Sequence, residues 1–277
     1  MDAATPLGMA LALVALVVSI FMEGGSLAQL WNPSALILVL GGTVGFTLTT
    51  FRTKDFSMLP KAVARAFSAA REDRAAIAEE IVGIADTARK QGLLELQNRL
   101  AQFGDPLLRR GLSLVIDGMD PQAVREVLDQ EVAIQRRRLE SMAAVLEQAG
   151  GYAPTVGIIG TVMGLVHVLS NLGDTERLGP AIAAAFMATF YGIFTANFFW
   201  LPLGTKLRGQ AERFEEHARM IILGVTAIHT GDTPSRLREK LETYLRDESG
   251  RAQRSTWAPA PAAPGEMDMA TDHPQRD

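Results

Sequence analysis

Long uncharged apolar runs alternate with polar, charge-rich stretches along this chain. The runs are Leu7–Met22, Pro33–Phe51, Pro154–Gly173 and Gly179–Leu203, and none contains Asp, Glu, Lys or Arg. A helix of about 20 apolar residues crosses the ~30 Å hydrocarbon core of a bilayer. The pattern predicts four transmembrane helices, the first of them short unless Ala3–Pro6 extends it. A secretory signal peptide is the rival reading of that first run, because Ser26-Leu27-Ala28 resembles a cleavage site. Such a peptide carries positive residues ahead of its apolar core, and here only Asp2 and the terminal amine precede it. A retained helix is the expectation.

The polar stretches read as helical too. Apolar residues recur three and four apart in Met58–Ala70 (Leu59, Val63, then Ala66 or Phe67) and in Ala75–Ala88 (Ile77, Ile81, Ile84). A turn at Gln91-Gly92 sets off Leu93–Phe103. Asp105-Pro106 and Asp120-Pro121 each pair an N-cap aspartate with a proline at the first helical position. They predict helices over Leu107–Asp117 and from Gln122 to about Gln148. Lys206–His229 continues the fourth run without a breaker, and Ser235–Leu245 follows a turn at Gly231–Pro234. Strand signals are absent.

The fold class is therefore an all-α integral membrane protein, with four transmembrane helices and a helical cytoplasmic domain. Its parts are a first hairpin (1–51), a cytoplasmic loop (52–151), a second hairpin (152–205), a helical extension (206–247) and a tail (248–277). The tail is rich in Pro, Ala and polar residues and reads as disordered.

Charge placement sets the orientation. Of 27 Lys+Arg, 15 lie in the loop Arg52–Gly151 and 11 beyond Leu203, leaving only Arg177 in the short link between the last two runs. Positive residues near span ends stay cytoplasmic. Both termini are then cytoplasmic, in an inner-membrane, multi-pass protein. The net charge of −4 gives no nucleic-acid footprint. Without cysteine there is no thiolate metal site or cysteine nucleophile. No phosphate-binding glycine loop and no nucleophile–base pair stands out, so an enzyme is not expected, nor a cofactor.

The last two runs carry the chemistry. Gly157, Gly160 and Gly164 lie on neighbouring turns of the third, and Ala181, Ala185, Ala188, Gly192 and Ala196 form a stripe on the fourth. Small residues let helix backbones approach closely in lipid, so both helices should face other helices, in the manner of a ring. Thr161 shares the face of Gly157 and Gly164, and Thr189 that of Ala185, Gly192 and Ala196. Either hydroxyl alone reads best as bonding back to its own helix. As a pair on facing surfaces they can offer oxygen to a hard cation such as sodium.

Pro154 is placed at the start of the third run, where proline costs little, while Pro202 interrupts helix-forming sequence and should kink it. His167 is the one classically titratable side chain in the runs, near an end and without a carboxylate neighbour. No carboxylate lies in any run, so a partner must bring one if ions pass.

These residues resemble a known family. The run Tyr152-Ala153-Pro154-Thr155-Val156-Gly157-Ile158-Ile159-Gly160-Thr161-Val162-Met163-Gly164-Leu165 is similar to the third helix of the flagellar stator A subunits, the MotA/PomA family. The run from Leu178-Gly179-Pro180 through Ala185-Phe186-Met187-Ala188-Thr189-Phe190-Tyr191-Gly192 to Pro202 is similar to its fourth. Asn32-Pro33 with Gly41-Gly42-Thr43, Ala88-Arg89-Lys90-Gln91-Gly92-Leu93-Leu94, and Gly111 to Gly118 extend the resemblance to about Leu245.

The resemblance implies five A subunits around two B subunits of the MotB/PomB type. The B subunit bears a plug, binds peptidoglycan and supplies the membrane aspartate. It also implies torque passed to the rotor switch protein FliG. Pro154 and Pro202 match two functional prolines, Arg89 matches a rotor-facing arginine and Lys90 a neighbouring basic position. The family usually has glutamate where this chain has Gln97, with Glu95 the nearest acid. Sodium-type members carry threonine at both inner positions, so Thr161 with Thr189 favours sodium over the proton. An energiser of the ExbB/TolQ type, or a passive membrane scaffold, is the alternative.

Overall fold

The computed structural model describes residues 4–67, 73–170, 173 and 175–254. Among these residues there are helices and turns but no strand. The N-terminal part holds α1 (Ala4–Met22), α2 (Pro33–Thr50) and two short helices, α3 (Thr53–Phe56) and α4 (Leu59–Phe67). A cytoplasmic group follows with α5 (Arg74–Gln91), α6 (Glu95–Arg99) and α7 (Pro106–Ile116). The rest is α8 (Pro121–Leu169), α9 (Thr175–Thr195), a π-helical turn over Ala196–Trp200, α10 (Leu201–His229) and α11 (Pro234–Arg254).

Local chemistry accounts for most of the helix ends. Asp105 accepts from the Leu107 and Leu108 amides at 2.8 and 2.9 Å, and Asp120 accepts from the Gln122 amide at 2.9 Å. Each leaves a proline just inside its helix, where the missing N–H would have lacked a partner anyway. Asn32 caps α2 in the same way. Gly92, at φ +89°, ends α5 in a conformation that side-chain-bearing residues rarely adopt.

Two expectations about prolines change. Pro154 does not open a helix: it lies inside α8, which runs unbroken for 49 residues from the cytoplasmic group into the third apolar run. A proline inside a helix clashes with the carbonyl four residues earlier, here that of Gly150. The continuous packing of α8 against α9 and α10 holds the helix through that position. Pro202 stands at the start of α10, and the helix before it widens into the π turn, where the Leu201 amide bonds the Ala196 carbonyl. The expected disturbance is thus a one-turn change of hydrogen-bond spacing, a known accommodation within a long helix. α11 continues to Arg254, past the Leu245 expected for it. Residues 68–70 of the first expected loop helix, and residues 255–277 of the expected tail, lie outside the described residues.

Three helical stretches, Pro33–Thr50, Pro121–Leu169 and Leu178–His229, are long and apolar enough to cross a membrane, and Leu7–Met22 is a shorter apolar helix. Beyond them, Ile81, Leu108, Leu112, Leu128, Ile221, Val225 and Leu237 form the cytoplasmic core where α5, α7, α8, α10 and α11 meet. A second cluster, with Ala66, Leu146, Trp200, Leu203 and Leu207, seats α4 against α8 and α10 beside the π turn. Within the membrane part the buried cluster is small: Ala35, Val39, Ala188 and Tyr191.

Candidate ion path and rotor face

The two small-residue stripes face each other. A Cβ at Gly157 would lie 2.8 Å from the Ala188 carbonyl oxygen and 3.0 Å from Thr189 Cα, so α8 and α9 touch backbone to backbone. Gly192 meets the Ala153 carbonyl in the same way, at 2.5 Å. Gly160 packs against Ala188 and Leu38, and Gly164 against Ala185. The outer side of α8 is different: Ile158, Val162, Met163 and Val166 are exposed.

At the centre of the contact the Thr161 and Thr189 hydroxyls lie 2.5 Å apart. The Thr161 Oγ1 also stands 3.2 Å from the Gly157 carbonyl and 3.1 Å from that of Ala185, and the Thr189 Oγ1 stands 3.4 Å from the Gly157 carbonyl. Both readings of Thr161 are therefore present at once: it bonds back one turn, and it reaches its partner. Two hydroxyls have two protons to donate, whereas these oxygens make four close contacts. The cluster is rich in lone pairs and lies in a region without carboxylates.

Other polar side chains lock the frame. The Tyr191 hydroxyl accepts from the Asn32 amide at 2.9 Å and donates to the Leu30 carbonyl, and the Asn32 side chain donates to the Ala184 carbonyl at 3.3 Å. The turn between α1 and α2 is thereby fastened to α9. At the far end of α2 the Thr50 and Tyr152 hydroxyls pair at 2.8 Å. His167 is exposed near the end of α8. Gly150, one turn before Pro154, meets the Leu201 side chain just beyond the π turn, so the two proline neighbourhoods adjoin.

The residues matched to the rotor surface lie together on the cytoplasmic group. Arg89 and Lys90 end α5 and are exposed, with Lys90 bridged to Asp86 at 2.7 Å. Glu95 opens α6 half-buried, and Gln97 is exposed. Leu94, 73% exposed beside them, adds an apolar contact that charge reasoning alone passes over.

Two long-range polar pairs, each with one buried partner, were not legible in the sequence. Arg74 bridges Glu216 at 3.1 Å, and His217 bridges Asp105 at 2.9 Å. Burial works to raise the Asp105 pKa. Its bonds with His217 and the Leu108 and Leu107 amides, together with the charge of His217, outweigh that and hold the carboxyl below its ordinary value.

Comparison with known proteins defines the class. Residues 100–220 match the model of the MotA/TolQ/ExbB proton channel family, and residues 6–92 match that of the Motility protein A N-terminal region. Motility protein A of Bacillus subtilis (strain 168) is 34% identical over 249 residues, covering 88% of this chain and 91% of that protein. Chemotaxis protein PomA of Vibrio alginolyticus is 32% identical over 247 residues, covering 89% and 96%. Among solved structures, the flagellar MotAB stator complex from Bacillus subtilis contains a chain 33% identical, with a TM-score of 0.80 and coverage of 87% and 95%. A chain of C. jejuni MotAB gives 0.83 at 25% identity, covering 88% and 96%.

The chain is thus a channel-family subunit of the inner membrane, multi-pass and not an enzyme. It belongs to the MotA/PomA family of flagellar motor stator A subunits. The N-terminal match sets it with the motility proteins rather than with ExbB and TolQ.

Proposed function

We propose that this chain couples sodium flow to flagellar torque, with Thr161 and Thr189 as ion-path ligands. The observation that carries the reading is the four-oxygen cluster formed by these two hydroxyls and the Gly157 and Ala185 carbonyls. Sodium is a hard cation, and hydroxyl and carbonyl oxygens can replace part of its hydration shell, as carbonyl rings do in ion filters. The lone-pair excess leaves oxygens to offer without removing a charged group. The carboxylate that binds and releases the ion comes from a B subunit of the MotB/PomB type. Five copies of this chain surround two of that partner, with four spans each and both termini in the cytoplasm. Sodium is a passing ligand here, and no cofactor or resident metal takes part.

Gly157, Gly160, Gly164, Ala185 and Gly192 hold the third and fourth spans close enough for the cluster to form. Pro154 and Pro202, adjoining through Gly150 and Leu201, act as the conformational elements between membrane and cytoplasm. Arg89, Lys90, Glu95 and Gln97 face the rotor protein FliG.

Thr161→Ala and Thr189→Ala test the ion assignment in a pair whose B subunit lacks its plug. Losing one oxygen bonded to a charge costs about 1.5–3 kcal/mol, so sodium uptake should fall roughly 10- to 100-fold in either variant. Unchanged sodium uptake, with the variants assembled normally, would remove the cluster from the path.

A further inference from the structure

The segment carrying Arg89, Lys90, Glu95 and Gln97 is fastened at both ends to one turn of α10. At its start, the Arg74 Nη2 donates to the Glu216 carboxylate at 3.1 Å and to the Arg213 carbonyl at 3.2 Å. At its end, Asp105 pairs with the His217 Nε2 at 2.9 Å while capping α7 through two amides. Glu216 and His217 are consecutive residues. Arg74 and His217 are 7% and 3% exposed, against 27% for Glu216 and 14% for Asp105, so each pair has one buried partner and solvent reaches it mainly from the carboxylate side. Between the two anchors, α5 lies tight on α10: a Cβ at Gly224 would meet Ile81 Cγ2 at 2.6 Å.

Stability alone does not explain this arrangement. A polar pair with a buried partner gains little over apolar residues of the same shape, because desolvation offsets its attraction. What a pair supplies is direction: it fixes which atoms meet and resists sliding, whereas an apolar contact can slide and repack. One anchor would direct only one end of residues 74–105 within the core they share with α10. Two anchors on neighbouring α10 residues make the segment follow both the translation and the rotation of that helix. α10 is itself the continuation of the fourth span through the π turn. A further polar tie of α5, Glu79 to Arg238 of α11, is exposed on both sides and is a weak surface pair, while α11 also packs against α5.

We propose that Arg74–Glu216 and Asp105–His217 form a two-point clasp, whose residues position the rotor-facing segment and transmit movement of the fourth span to it. This rests on the torque reading above. The clasp residues themselves touch neither the ion nor the rotor, so ion passage and torque should separate when the clasp is cut.

The test uses the full-length chain with its B partner in flagellated cells lacking stators. Torque at high load is measured there, and cation uptake is measured with a plug-deleted B subunit. Arg74→Glu should keep uptake near the wild-type level while torque drops severalfold. The exchange variant Arg74→Glu with Glu216→Arg should recover most of that torque, and Asp105→Asn should repeat the torque loss from the other anchor.

If Arg74→Glu does not accumulate, Arg74→Lys takes its place. It keeps the charge but lacks the planar guanidinium whose Nη2 reaches the Glu216 carboxylate and the Arg213 carbonyl, and should show the same separation. Wild-type torque in the accumulated variants overturns the clasp and leaves the stator reading standing. Torque and uptake falling in equal proportion, without recovery in the exchange variant, overturns it as well. No rotation from the unaltered chain, despite verified assembly with its partner, overturns the torque reading and the clasp with it.

Discussion

In the cytoplasmic half, helices meet through branched side chains. Leu108, Leu112, Leu128, Ile221 and Leu237 are fully buried there, and ion pairs tie helix to helix around them. The membrane half has almost no such core. α8 and α9 meet at Gly157, Gly160, Gly164 and Gly192, with carbonyl oxygens or Cα atoms in contact at Gly157, Gly164 and Gly192, while Ile158, Val162 and Met163 point away. The difference follows from the solvent. Water drives large apolar side chains inward on the cytoplasmic side, but lipid is as apolar as leucine, and there close backbone packing and hydroxyl bonds hold helices together. The consequence for function is direct. A backbone-to-backbone contact brings helix carbonyls and two threonine hydroxyls within reach of each other, which a leucine-filled interface would keep apart.

The contrast is broken most severely at Gly192. A valine there would press into the Ala153 carbonyl, since even its Cβ would lie 2.5 Å away. Overpacking commonly costs about 1–3 kcal/mol where side chains can shift; this wall is backbone, so Gly192→Val should sit at the top of that range or above it. Folded protein in the membrane fraction should fall sharply. A normal level would show that the two helices do not approach this closely.

Acid should separate the two halves by a smaller margin. The Asp105 carboxyl has a depressed pKa in the folded chain, against about 3.9 when unperturbed. Its contribution is therefore complete above about pH 4 and is lost as pH falls through the depressed folded value. Hydrogen exchange in α7 and α10 should quicken over that range, and Asp105→Asn should make it insensitive there. The membrane contact of α8 with α9, which has no carboxylate, should show no matching step. A step of equal size there would mean that the halves unfold as one.

The mildest comparison is a single methyl group added on either side. Gly83 sits on α5, where an added Cβ would meet nothing within 4 Å, whereas Gly157 faces the Ala188 carbonyl at 2.8 Å. Gly83→Ala should stabilise by roughly 0.5–1 kcal/mol through the helix preference for alanine, while Gly157→Ala should destabilise. Paired thermal melts of the purified protein read both, and the same sign for the two would contradict the account.

What could be read from the sequence was what is local or periodic. The aspartate caps at Asp105 and Asp120 depend on residues two and three positions away, and both stand where the Asp-Pro pairs put them. Thr161 and Thr189 were placed on facing surfaces because helical spacing fixes the face of each. The continuity of α8 through Pro154 was not legible, since local propensity argues for a break there and only packing against α9 and α10 overrides it. Nor was the π turn, since Pro202 announces a disturbance in the helix without saying that it takes the form of one widened turn over Ala196–Trp200. Arg74 with Glu216, and Asp105 with His217, are more than 100 positions apart in the chain. Nothing in the spacing of these charges selects those partners from the many others. Tyr191 with Leu30 and Asn32 is hidden for the same reason.

The most direct measurement is rotation speed against sodium concentration at fixed pH, with this chain and its B partner as the only stator in flagellated cells. If the Thr161–Thr189 cluster passes sodium, speed rises with sodium and then saturates. Steady rotation that ignores sodium and follows the proton gradient would contradict the sodium assignment.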